Sequence, residues 1–377
     1  MIIVEVIYMM EKYFEEIHDP RQQAKVQHKL SEIIVLVICA VISGCDVWED
    51  IADFCRVKLE WFRVALGLEL RNGIPSHDTM ERVFEMMDPK EFEQSFAQWV
   101  EDTCSVKGRE TISIDGKTLR GSQSKAQKAI HMVSAWAHDA GLVLGQIATE
   151  EKSNEITAVP ALLDTLDIED CIVTADAMSC QKAITKKIAI QKGDYVIGLK
   201  ENQATLYEEA VKYFAGAAEE PKLYQAVATE IVENKGHGRE EKRVYSLCQA
   251  TDILDTYRDW ANLRAIGKVH SVITQNGVTT EADRYYITSL TDVKEFARAA
   301  RNHWGIENSL HWCLDVTFRE DASRTRKDHS AENFAVIRHF ALSVLKSMKD
   351  NMSVARRRRH CAYDDEYLAH VILSIHA

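Results

Sequence analysis

Thr111-Ile112-Ser113-Ile114-Asp115-Gly116-Lys117-Thr118-Leu119-Arg120 is the stretch on which the reading of this 377-residue chain turns. A short β-rich run ends in an acid, and Cys171-Ile172-Val173-Thr174-Ala175-Asp176 repeats the construction further along. In an open α/β sheet, functional groups gather outside strand ends. Taken singly, each acid has a plainer reading: Asp115-Gly116 as a turn, Asp176 as a cap for the helix that follows.

Working outward, Ile130–Ala137 and Leu142–Ala148 are strand-like runs around His138-Asp139-Ala140-Gly141, a hairpin signal. Glu155–Leu166 and Gln181–Gln191 are helical in pattern, and Asp194–Leu199 is a further strand ending at Lys200. This order predicts a mixed sheet with helices on its faces. Residues 225–290 are β-rich (Val244–Cys248, Ala265–Val272, Tyr285–Ile287), and helix resumes at Val293–Val316 and Ala331–Met348.

Residues 1–107 read as all-α. Ile33–Cys45 is a continuous apolar run, too short for the ~20 residues of a membrane span and suited to a buried helix. Val47–Leu66 carries an amphipathic pattern, Ser76 or Asp78 caps the next helix, and another runs from about Pro89 to Cys104. The segment reads as a helix bundle or, more sharply, as a helix-turn-helix-like DNA module whose second helix begins at Ser76. Met1–Met10 is apolar but contains Glu5 and lacks a basic start, which argues against a signal peptide. Nine scattered cysteines without a Cys-x-x-Cys pair exclude a disulfide framework and fit a cytoplasmic location.

Composition is globular, at 46% apolar and 28% charged, and the low Gly and Pro counts (16 and 5) favour long elements. A net charge of −12 argues, as a total, against a nucleic-acid protein. Counted locally, Lys294–Arg359 holds 14 basic against 8 acidic residues. Arg324, Arg326 and Lys327 are suited to phosphate positioning, or else decorate a loop. Arg356, Arg357, Arg358 and Arg359 form a sharper cluster, and Lys235-Gly236-His237-Gly238-Arg239 puts cations on a Gly-flanked loop.

The third acid lies in Val293–Val316. At 100° per residue, Phe296, Ala299, Ala300, His303, Ile306, Leu310 and Leu314 form an apolar stripe with Glu307 near its middle. A buried carboxylate needs a cation, a proton or a metal. An Arg partner or a metal shared with Asp115 and Asp176 would each serve. His303 and His311 are about 12 Å apart along a helix, too far to ligate one zinc ion together. Oxygen donors favour Mg²⁺ or Mn²⁺. Trp304 and Trp312 read as packing residues.

These stretches carry a resemblance. Asp115–Arg120, Glu151–Thr157, Asp176–Gln181, Lys200–Gln203, His237-Gly238-Arg239 and Arg301–Asn308 with Glu320-Asp321 are similar to insertion-sequence DDE transposases, in the H-repeat-associated branch found beside Rhs elements. The resemblance implies a ribonuclease H-like catalytic domain over 108–348 with a β-rich insertion at about 225–290, and a basic C-terminal segment at 349–377. It also implies a catalytic, metal-holding triad of Asp115, Asp176 and Glu307, with two Mg²⁺ ions (Mn²⁺ as substitute). DNA contacts are implied from Lys117, Arg120, Lys200, Asn202, Gln203, His237, Arg239, Arg301 and His303. The expected reaction is hydrolytic nicking at element ends, then attack of the freed 3′-hydroxyl on target DNA. Its partners are terminal inverted repeats, target DNA and a second copy in a synaptic complex, with no membrane. Departures from the branch pattern are Ala300, His303 and Leu314 around Glu307, and Ser179 and Glu201 at usual glycine positions. A degenerate DNA binder and a metal-dependent nuclease on the same sheet are the alternatives.

Overall fold

A computed structural model describes residues 12–103, 108–123, 128–149, 155–236 and 238–374. Met1–Met10, Cys104, most of Glu151–Thr157 and His237 lie outside these residues. The chain order is α1 (Leu30–Ile42), α2 (Trp48–Val57), α3 (Leu59–Ala65), α4 (His77–Met86), α5 (Pro89–Thr103), β1 (Thr111–Thr118), β2 (His131–Ala137), β3 (Leu142–Thr149) and α6 (Glu155–Asp164). Then follow β4 (Ile172–Ala175), α7 (Lys182–Ile190), β5 (Asp194–Leu199), α8 (Ala204–Glu219), β6 (Ala228–Gly236), β7 (Arg239–Cys248) and α9 (Thr251–Thr256). The last elements are β8 (Ala265–Gln275), β9 (Val278–Thr288), α10 (Val293–Ile306), α11 (Ser330–Ser347), α12 (Val354–Tyr363) and α13 (Asp365–Leu373). The expected mixed α/β class holds. The sheet runs β3-β2-β1-β4-β5-β9-β8-β7-β6. Its first five strands have the order of a ribonuclease H-like core, with β2 and β3 antiparallel and β1, β4 and β5 parallel. The β-rich insertion is a run of antiparallel strands continuing from β5 through β9 to β6.

Two compact units are discontinuous in sequence: one holds 1–106, 116–152 and 307–377, the other 107–115 and 153–306. In the first, α1 is buried over its whole length, as its apolar run requires. Each such Ile, Leu or Val contributes roughly 1.5–3 kcal/mol. The partner of α1 is α11, which also packs on α4 and α5. Trp48 meets Phe84 and Phe334, and Phe340 meets Phe96 and Trp99. Asn333 Nδ2 donates to the Phe84 and Met87 carbonyls at 2.8 and 2.9 Å, satisfying the end of α4. Ser76 caps α4 by accepting from the Thr79 N–H, as its position predicted. The amphipathic stretch 47–66 is two helices, because Lys58 leaves helical geometry at ψ 8°.

Burial against the first unit's core pushes the Glu93 carboxyl up to about 8, opposed by a hydrogen bond from the Gln146 backbone and aided by Glu332. Glu93 is therefore protonated in the native state at neutral pH. A carboxyl raised on folding contributes stability that is complete below its ordinary value of 4.5 and lost as pH rises through 8. Glu93→Gln should match the wild type at pH 5 and exceed it at pH 9 by on the order of 3–5 kcal/mol. Thermal melts across pH test this; equal shifts at both ends would refute it.

The second unit packs Phe296 of α10 against Tyr245 and Tyr286 on the sheet. Arg109, at the entrance to β1, grips Glu295 with two 2.8 Å bonds and Asp194 at 2.5 Å. The hydrogen bond to Glu295 outweighs burial and holds this guanidinium above its ordinary range. Among the described residues no helix is long and apolar enough to cross a membrane, and the described cysteines carry free thiols.

Candidate active site

Two of the three acids belong to neighbouring strands of the second unit or to their flanks. Strands β1 and β4 are parallel, with Ile114 opposite Ala175. One residue further along each chain come Asp115, still within β1, and Asp176, just past the end of β4. The turn reading of Asp115-Gly116 is corrected, since β1 continues through both to Thr118. Asp176 does cap, though not α7: its Oδ1 accepts from the Met178 and Ser179 N–H groups at 2.9 and 3.4 Å. Gly198 of β5 makes room for this bend, because a Cβ there would lie 3.1 Å from Ala177 N. Asn202 Nδ2 donates to the Ala177 carbonyl at 2.6 Å, and Gln203 Nε2 to that of Cys180 at 2.9 Å. Both amides thus brace the backbone that follows Asp176.

A polar row fixes the last turn of α10 to the same strands. Asn302 Nδ2 donates to Thr111 Oγ1 at 3.2 Å, His303 Nδ1 and Thr174 Oγ1 are 3.1 Å apart, and Thr174 donates to Ser113 at 3.0 Å. Thr111, Ser113 and Thr174 are buried, so these bonds replace water. His303, expected at DNA, is turned toward the sheet.

Glu307, in the first unit, departs from expectation. The helix is α only to Ile306; Glu307–His311 and Cys313–Thr317 are π-helical. Glu307 is 56% exposed, although the 100° projection places it on the apolar stripe. Ile306, Leu310 and Leu314 are buried as predicted. The Glu307 Oε2 lies 3.4 Å from Nδ1 of the buried His311. His311 was not singled out as a site residue; the signal for it was its i+4 spacing from Glu307. Trp304 and Trp312, read as packing residues, are 42% and 57% exposed. The Arg284 guanidinium lies 4.7 Å from the Trp304 ring centroid.

The expected DNA contacts divide into two sets. Lys200, Arg239, Arg301, Arg324, Arg356 and Arg359 are exposed, as is Arg120, which approaches Asp321 at 3.6 Å. Arg239 is paired with Glu241, and the largely exposed Lys327 with Glu85 at 2.6 Å. The others are committed internally. Lys117 is held by three carboxylates, and Arg326 Nε donates to the Gly121 carbonyl at 2.7 Å. Arg357 and Arg358 are buried, at 7% and 4% exposure. Arg357 pairs with Asp350 and donates to the Leu345 and Met348 carbonyls. Arg358 pairs with Asp46 and donates to the Val41 and Thr317 carbonyls. The four-arginine run is thus half surface, half core, because the inner pair Arg357 and Arg358 and the outer pair Arg356 and Arg359 fall on opposite faces of α12.

This strand order, with one aspartate within β1 and another just past β4, is that of the ribonuclease H-like class. The chain belongs to the DDE transposase family: residues 107–344 match the Transposase DDE domain, and 11–100 match the domain described as DDE_Tnp_1-associated. It is 42% identical over 365 residues to YhhI of Escherichia coli strain K12, an H repeat-associated protein named as a candidate transposase, covering 94% of this chain and 95% of the relative. It is 41% identical to YncI of Escherichia coli O157:H7, also named as a candidate transposase, over 96% of this chain and 94% of that one. A solved piggyBac transposase synaptic complex with hairpin DNA aligns with 97% of this chain and 78% of its own, at 10% identity and a TM-score of 0.42. Divalent-metal use comes with the family. The donor set suits it: hard carboxylate oxygens, one of them on a backbone-fixed Asp176.

Proposed function

We propose that this chain cleaves DNA at the inverted repeats of its element and joins the freed ends to target DNA. In this reading Asp115, Asp176 and Glu307 together hold two Mg²⁺ ions, for which Mn²⁺ can substitute. The placement of Asp115 and Asp176 directly after the paired residues Ile114 and Ala175 of parallel strands supports it most directly. When bound, such a pair of ions activates water and stabilises the leaving oxygen of an in-line displacement. The protein's own part is positional. Asn202 and Gln203 hold the bend after Asp176, and His311 orients the Glu307 carboxylate. Exposed cations (Arg120, Lys200, Arg239, Arg301, Arg324, Arg356 and Arg359) take phosphates, and two copies pair the element ends.

The test is a duplex carrying the inverted repeats that flank the gene, incubated with the full chain and a supercoiled target. Mg²⁺ or Mn²⁺ should give nicks with 3′-hydroxyl ends and joined products, and EDTA should abolish both. Cleavage that persists in EDTA, or binding without cleavage under every metal, would refute the reading.

A further inference from the structure

Lys117 was expected to touch DNA, yet its side chain is only 10% exposed. Its Nζ lies 2.7 Å from Asp315 Oδ1, 2.8 Å from Glu320 Oε2 and 3.4 Å from Asp321 Oδ1. Glu320 is buried completely, and its other oxygen faces the buried Arg338 at 3.9 Å. Arg319, at φ +51°, turns the chain sharply out of the π-helical segment just ahead of Glu320. Nearby, Gly121 lets the exit from β1 press on the 321–323 backbone; a Cβ there would lie 2.0 Å from the Ser323 oxygen.

Buried ion clusters are weak devices for stability alone, since apolar packing often serves as well. What they supply is a fixed geometry, and here the members are placed to use it. Lys117 follows Asp115 by one full alternation along β1. Asp315 follows Glu307 by roughly two helical turns, on the second of the two successive π-helical segments. We propose that Lys117 is a positioning residue: through Asp315 and Glu320 it holds the segment that bears Glu307 and so fixes where the Glu307 carboxylate stands within the first unit.

The proposal rests on Glu307 being a metal ligand, and the experiment separates the two ideas. Asp315→Asn loosens the link to the helix while leaving the Lys117–Glu320 pair to support the fold; Lys117→Arg keeps the charge; Glu307→Gln is the reference. Three quantities are read on the full chain. They are the rise in melting temperature with added Mn²⁺, DNA binding in EDTA, and cleavage rate against Mg²⁺ concentration. Asp315→Asn should need about 10–100-fold more Mn²⁺ for its half-maximal shift. Its cleavage should recover in part at high Mg²⁺, with DNA binding in EDTA changed less than twofold. Lys117→Arg should lie between it and the wild type. A wild-type Mn²⁺ response in Asp315→Asn overturns the positioning role, and so does a tenfold loss of metal-free DNA binding in Lys117→Arg. If Glu307→Gln itself leaves the Mn²⁺ response intact, the ligand assignment falls, and the positioning role with it.

Discussion

Glu307→Gln is expected to lower DNA cleavage by at least about 10²–10³-fold while leaving the protein folded and bound to DNA. The folding half of that expectation comes from exposure. With 56% of its side chain in water, Glu307 anchors no core, and surface substitutions of this kind usually stay within about 0.5 kcal/mol. Asp115→Asn and Asp176→Asn should match it in rate. Asp176→Asn should also cost some stability, since its carboxylate accepts two backbone N–H bonds. The measurements are single-turnover cleavage, DNA binding in EDTA and a thermal melt. Wild-type cleavage in any one of the three variants would remove that residue from the triad.

The four-arginine run provides the second large effect. Arg358→Ala should destabilise the protein by about 3–5 kcal/mol, because it strands Asp46 and the Val41 and Thr317 carbonyls in the interior. It also removes the guanidinium lying 4.2 Å from the Phe318 ring centroid. Roughly 10 °C should be lost from the melting temperature. Arg356→Ala and Arg359→Ala should melt like the wild type. They should instead weaken DNA binding and lower the slope of log affinity against log salt by about 0.9 for each phosphate no longer neutralised. Melting losses that are equal at all four positions would refute the division. A salt slope unchanged in Arg356→Ala and Arg359→Ala would remove those two from the DNA surface.

That division was partly legible, since Arg357 and Arg358 stand four and three residues before the buried Cys361. Identical side chains in a row masked it. The strands bearing Asp115 and Asp176 were readable because apolar runs with sharp polar ends leave few alternatives, and so was the hairpin closed by Gly141 at φ +69°. The helix α8 was overlooked although Leu206, Ala210 and Phe214 keep a spacing of four. The exposure of Glu307 was not legible, because a projection that places Ile306, Leu310 and Leu314 correctly in the interior also places Glu307 among them, and it cannot register which single side chain turns to water. The net charge misled in both directions. The total of −12 hid a basic segment, and that segment's count included Arg326, Arg338, Arg357 and Arg358, which are turned inward.

The burial of α1 on α11 has a consequence during synthesis. At about 5–20 residues per second, a ribosome that has made α1 still needs roughly 15–60 s to complete α11. Throughout that interval one of the most apolar segments of the chain has the short α2 beside it but lacks α11. A copy truncated before residue 330 would leave the α11 side of α1 uncovered, and it should be degraded faster than the full chain in a pulse-chase comparison.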